Sequence, residues 1–139
     1  MTADNGDIAA IILHGGDYDR ASYALSLALV ALASGMEVHL LLTYGGLKRF
    51  VKDGLSVLGE ETGADVRASL ERGLASGGIA GLEDQLREAR KLGLRLHACP
   101  TAMAHLNIAR GDLREEVDDV MGLAAFLALA RAARINWYI

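Results

Sequence analysis

Cys99 is the only cysteine in 139 residues, and it immediately precedes the only proline, Pro100. The apolar run Leu94-Arg95-Leu96-His97-Ala98 predicts a strand that stops at the thiol, and proline suits the first turn of a helix beyond it. A cysteine at that junction stands at an open helix N-terminus, where unpaired N–H groups and the positive end of the dipole favour the nucleophilic thiolate. The competing reading is a small buried hydrophobe. Two further segments share the pattern of a strand running into a flexible loop, His14-Gly15-Gly16-Asp17 and Thr43-Tyr44-Gly45-Gly46. Paired glycines let main chain approach a ligand closely and can turn consecutive N–H groups toward an anion. They also make ordinary tight turns. His14 and His105 fall near the same expected edge as Cys99, Pro100 and Thr101, where an imidazole can orient a ligand or favour the thiolate. His39 and His97 fall inside expected strands and read as satisfied core groups.

The surrounding chemistry narrows the field. With one cysteine there is neither an internal dithiol nor an intrachain disulfide, which favours a reducing compartment such as the cytoplasm. Scattered histidines and one thiol make poor metal-ligand spacing, so no metal site is expected. There is no G-x-G-x-x-G and no phosphate-loop lysine, and no cofactor is implied. A cysteine hydrolase needs an oriented base and an oxyanion hole, and no third member stands out. Net charge is −4 and no Lys/Arg stripe with interleaved aromatics occurs, which argues against nucleic acid as a partner. What remains is a lone nucleophile able to hold a cargo. Attack of a thiolate on the sulfane sulfur of a persulfide or thiosulfonate needs activation, access and an anion-stabilising loop, and no acid–base relay.

The elements that must position these residues alternate along the chain. Hydrophobic residues make up 52%, charged residues 23% and aromatic residues 5%, so a single domain over residues 1–139 is expected, with a core of Leu, Ala, Val and Ile. Residues 8–14 read as a buried strand, with Asp17 capping a helix that Gly35 ends. Residues 38–42 form the next strand. Leu47, Phe50, Val51, Leu55 and Leu58 then recur at helical spacing, and residues 59–78 are polar and glycine-containing, with one amphipathic helical piece over 65–74. Ile79, Leu82, Leu86 and Ala89 mark a helix closed by Gly93, followed by the strand ending at Cys99 and a short helix through Met103. Residues 117–121 make a poor strand by composition, with two aspartates, but one placed well before a last helix at Leu123, Phe126, Leu127 and Ala130. Residues 134–139 alternate as a final edge strand. Strand and helix in turn predict an α/β three-layer sandwich, a mostly parallel five-stranded sheet covered on both faces. Its ligand edge lies at the C-terminal ends of the strands, where all three loops should converge. The uncharged stretch 21–36 is cut short by Ser34, Gly35 and Glu37, so it reads as a helix buried by the sheet on one side and by another subunit on the other, and no membrane span is expected.

Taken in order, Ile12-Leu13-His14-Gly15-Gly16-Asp17, Thr43-Tyr44-Gly45-Gly46-Leu47, Ala89-Arg90-Lys91-Leu92-Gly93, Leu96-His97-Ala98-Cys99-Pro100-Thr101-Ala102-Met103 and Asp119-Val120-Met121-Gly122-Leu123-Ala124 resemble the DsrE/DsrF-like family. The resemblance covers nearly the whole chain. It implies a DsrEFH-like three-layer domain assembled with itself as a homotrimer or homohexamer. It also implies a sulfur carrier or sulfurtransferase that accepts sulfane sulfur on Cys99 and exchanges it with a TusA-like or rhodanese-like partner. His14, Gly15, Gly16, Tyr44, Gly45, Gly46, Pro100, Thr101 and His105 would line the ligand site. Two departures stand out. Asn107 occupies a position where glycine is frequent, and asparagine tolerates the left-handed conformation. The additional cysteine of some relatives is missing. The alternative is a non-catalytic oligomeric module that binds a small anion, or a regulatory subunit, with the apolar face of the helix from Tyr18 to Ser34 as its interface.

Overall fold

The computed structural model describes residues 7–59 and 61–139. Residues 1–6 of the expected domain and residue 60 of the expected polar segment lie outside the described residues. Among those described, five strands form one all-parallel sheet with six helices around it. The strands are β1 (Ile8–Leu13), β2 (Glu37–Leu42), β3 (Arg95–Ala98), β4 (Asp119–Val120) and β5 (Ile135–Tyr138), in the spatial order β4-β3-β2-β1-β5. β1 and β2 are almost continuously apolar because both of their faces are covered, as central parallel strands require. Among the described residues no helix is long and apolar enough to cross a membrane.

α1 (Tyr18–Ala33) buries Ala21, Ala24, Leu25, Ala28 and Leu32 and packs on α4 (Leu82–Lys91), where Ser22 Oγ donates to Gln85 Oε1 at 3.1 Å. Gly35 ends α1 at φ +87°, and the N–H groups of Gly35 and Met36 close back on Leu32 and Ala31. Asp17 holds the N-cap position, but its side chain makes no capping hydrogen bond, contrary to the sequence expectation.

The helix expected through Leu58 is shorter. α2 (Tyr44–Arg49) ends where the carbonyl of Phe50 turns to accept the Arg114 N–H and where Val51 bridges antiparallel to Leu113. Asp53 lies in the left-handed region at φ +68°. Leu47, Phe50 and Leu55 are all buried, so their spacing marks a shared core rather than one helix. α3 (Ala64–Ser76) takes up most of the polar segment. Ile79, expected to lead the next helix, instead sends its N–H back to the Gly73 carbonyl of α3. α5 (Pro100–Leu106) ends on Asn107 at φ +58°, so asparagine does take the left-handed cap, and a 3-10 turn follows at Arg110–Asp112.

From β1 to β4 the chain steps one strand at a time in one direction; the last connection, α6 (Leu123–Ala132), returns across the whole sheet to place β5 outside β1. Right-handed crossovers therefore put α1, α4 and α5 on one face and α6 on the other. The α6 side is fixed independently by Asn136, whose Nδ2 donates to the Ala130 carbonyl at 3.1 Å.

The two aspartates that made β4 look poor are what attach it. Asp118 Oδ2 accepts the Leu96 N–H at 2.8 Å and an Arg90 guanidinium N–H at 2.7 Å, and the Asp118 N–H donates to the Leu96 carbonyl. Burial opposes ionisation of Asp118, but the bonds from Arg90 and Leu96 outweigh it and hold the carboxyl below its usual range. A depressed carboxyl stabilises the fold above the ordinary Asp value and loses that contribution as pH falls through the native one. Asp118→Asn is therefore expected to cost about 1 kcal/mol at pH 7 and to flatten the loss of stability below about pH 4, as urea denaturation at pH 7 and pH 3 would measure.

Candidate functional site

The loops leaving β1, β2 and β3 meet at one edge of the sheet. The Gly46 N–H donates to the His14 carbonyl at 3.1 Å, and the Cys99 N–H to the Leu42 carbonyl at 3.0 Å. Glycine is required at the first meeting. A Cβ on Gly16 would stand 2.7 Å from the Gly45 carbonyl oxygen, one on Gly45 2.7 Å from the Gly16 nitrogen, and one on Gly46 2.7 Å from Leu13 Cγ. Tyr44 joins the loops through its side chain. Its ring centroid lies 5.4 Å from that of His14 and 5.8 Å from that of His105, and its hydroxyl is 2.9 Å from His105 Nδ1. The residue pays for this placement with a φ of +46°, a strain of order 1–3 kcal/mol for a side chain of this kind.

Cys99 is the N-cap of α5, with Pro100 opening the helix and the Met103 N–H donating to the Cys99 carbonyl at 3.0 Å. The thiol stands at the topological switch point. β3 hands the chain to α5 on one face, and its neighbour β4 hands it to α6 on the other, while the Met121 N–H ties the β4 exit to the Ala98 carbonyl. Pro100, Thr101, His14 and His105 are exposed around this edge, and Tyr44 is half-buried.

Among the described residues the thiol is enclosed by protein and does not line the cavity at the glycine loops. Cys99 is only 2% exposed. The N–H groups of His14 and Gly15 are taken by the Ile139 carbonyl, and that of Gly46 by the His14 carbonyl, so two of the four glycine donors expected to face an anion are occupied by the protein. Among the described residues no hydrogen bond joins His14 or His105 to the thiol. A cavity of about 460 Å³ does open beside Gly16 and Gly45, walled by Asp17, Lys48, Arg49, Gly54, Val57, Gly59 and Glu61, but Cys99 takes no part in it.

Arg49 shapes that cavity, and sequence reasoning missed it because a basic residue beside Lys48 reads as solvated surface. It is 5% exposed. Its guanidinium donates to the carbonyls of Gly16 (2.9 Å), Leu55 (2.7 Å) and Val57 (2.7 Å), reaches Glu61 at 3.2 Å, and lies 5.6 Å from the Tyr18 ring centroid. Burial lowers its pKa from the usual arginine value, against the opposing pull of Glu61. The sequence segment after α2 is thus folded around one buried cation that satisfies carbonyls a helix would otherwise have satisfied.

A crystal structure of the YchN protein from E. coli superposes with a TM-score of 0.62 at 12% identity, covering 96% of this chain and 99% of that one, which shows a shared fold. The uncharacterized protein YrkE of Bacillus subtilis (strain 168) is 27% identical over 93% of this chain and 94% of its own length. The DsrE/DsrF-like family matches residues 7–135, nearly the whole chain. The chain belongs to the DsrE/DsrF-like family.

Proposed function

We propose that this protein is a sulfur carrier in which Cys99 receives and passes on sulfane sulfur. Family and fold suggest a role related to sulfur relay. The observation that carries the finer reading is the position of Cys99, the N-cap of a proline-initiated helix at the switch point between β3 and β4. In the transfer step the thiolate attacks the outer sulfur of a donor persulfide, the donor S–S bond breaks, its thiolate leaves, and Cys99 becomes the persulfide. With thiosulfate the leaving group is sulfite. The reaction consumes no oxidant and needs no second cysteine. A TusA-like or rhodanese-like protein is the proposed exchange partner, in the cytoplasm, with residues 1–139 acting as one domain.

The closed state of the thiol adds a requirement: sulfur can enter only when the edge opens. The Tyr44–His105 bond ties the first residue of α2 to the last turn of the seven-residue α5, and it is one fastening that such opening would release. Mass spectrometry after incubation with polysulfide or thiosulfate should show a gain of one or more sulfur atoms on the wild type, none on Cys99→Ser, and faster loading on Tyr44→Phe. A folded wild type that gains no sulfur would favour a second reading, supported by the separate cavity at Gly16 and Arg49: a non-catalytic module that binds a small anionic ligand.

We also propose that the chain assembles with itself, as a homotrimer or homohexamer, through the α6 face. α1 spends its apolar stripe inside the domain, leaving Tyr23 and Val30 outside, so it is the weaker candidate for the interface. α6 reads LAAFLALARA, yet buries only Phe126 among its residues. Leu123 and Leu127 are 58% and 61% exposed, and Tyr138 beside them is 74% exposed. A helix apolar around its circumference calls for cover on its outer side. Leu127→Glu should shift the assembly to monomer in analytical ultracentrifugation while leaving the circular dichroism spectrum unchanged; an unaltered oligomer would exclude this face.

A further inference from the structure

Four ionisable side chains form an unbroken line across three strands on the α6 face of the sheet. Glu37 Oε1 is 2.8 Å from His39 Nε2, His39 Nδ1 is 2.9 Å from His97 Nε2, and His97 Nδ1 is 2.5 Å from Asp119 Oδ1. Glu37 and His39 are two apart on β2 and so share a face. His97 lies on β3, and Asp119 is its register partner on β4. The two imidazoles are stacked at 5.1 Å and buried, 8% and 3% exposed, while both terminal carboxylates reach solvent. The sulfur-carrier reading makes no use of this line.

Counting protons gives its state. Three contacts at hydrogen-bond distance need three protons, one in each. Two neutral imidazoles bring two, and two ionised carboxylates bring none. With only two protons, one contact would set a pair of acceptor lone pairs against each other, and with four, the inner contact would oppose two N–H groups. The count is the same whichever tautomers are drawn. We propose that the line stores one proton beyond the two that its neutral imidazoles carry, and that the stored proton is a latch on β4. Other charges near the line are few. Arg95 is the register partner of His39, Arg131 is the one charge on α6 and is exposed, and β1 and β5 offer Ile8, Ala10 and Asn136.

The latch matters because β4 has two residues and carries the turn into α6, next to Cys99. Loss of the third proton opens one contact. If that contact is the one to Asp119, β4 is left with Asp118 as its side-chain tether.

The proposal is tested on the full chain by imidazole ¹⁵N NMR. At pH 7 the four ring nitrogens of His39 and His97 should carry three protons; a count of two or four in the folded protein overturns the stored proton. As pH is raised, departure of the third proton should coincide with an about tenfold loss of protection, measured against the intrinsic base-catalysed exchange rate at each pH, at the Asp118 and Met121 amides, which donate to β3. Asp119→Asn supplies the missing donor from its own amide. It should therefore keep the line intact with two ring protons and abolish the pH-dependent change in exchange. Persistence of that change in Asp119→Asn overturns the latch. Both readouts are independent of sulfur loading, so failure here leaves the carrier reading standing, and failure of sulfur loading leaves the latch standing.

Discussion

A two-residue strand contributes little ladder energy, yet residues 121–139 hang from one. β4 is held to β3 by a two-residue ladder flanked by the Asp118 and Met121 N–H bonds, and by two carboxylates, Asp118 bonded to Leu96 and Arg90 and Asp119 to His97. Everything beyond depends on that attachment. The chain reverses its winding direction at β4, so α6 covers the second face and β5 reaches the outer side of β1 only because β4 is fixed at the opposite edge. The same reversal makes the β3–β4 boundary, where Cys99 caps α5, the switch point of the sheet. Charge-assisted hydrogen bonds here do the work that strand length does elsewhere.

Most of the architecture could be read from the residues, because hydrophobic runs and glycine stops report directly on main-chain geometry. The strands at 8–13 and 37–42, the caps at Gly35 and Asn107, and the thiol at the head of a helix all follow from local rules. The misses share one cause. Leu47, Phe50 and Leu55 are buried at helical spacing, but a single buried cation, Arg49, satisfies the carbonyls of the loop and removes the need for a helix. The strand within residues 117–121 was legible from its place before the last helix and not from its composition, which does not reveal that an aspartate has a distant N–H or imidazole to bind. Long-range polar pairing leaves no periodic trace in a sequence.

The candidate site shows the same division. Convergence of the three loops was legible, since each glycine pair follows a strand of one parallel sheet. The purpose of the glycines was not: they allow loop to approach loop closely, and the donors of Gly15 and Gly46 are spent within the protein. The thiol is consequently held in a closed edge, with a Tyr44 bridge whose strained backbone shows that the surroundings enforce its position. In the proposed carrier, a thiol shielded at rest would react only after a partner opens the edge.

The pairing of β1 with β5 carries a consequence for biosynthesis. Residues 8–13 are synthesised long before their outer neighbour, and one flank of that strand finds its partner only when Ile135–Tyr138 follow, after all the other described elements. Until then a strongly apolar strand, IAAIIL, presents unsatisfied main-chain groups along one side, a template for misdirected association. Nascent-chain chaperoning, or very rapid pairing once residues 135–138 are free to fold, is the demand this winding order places on the cell.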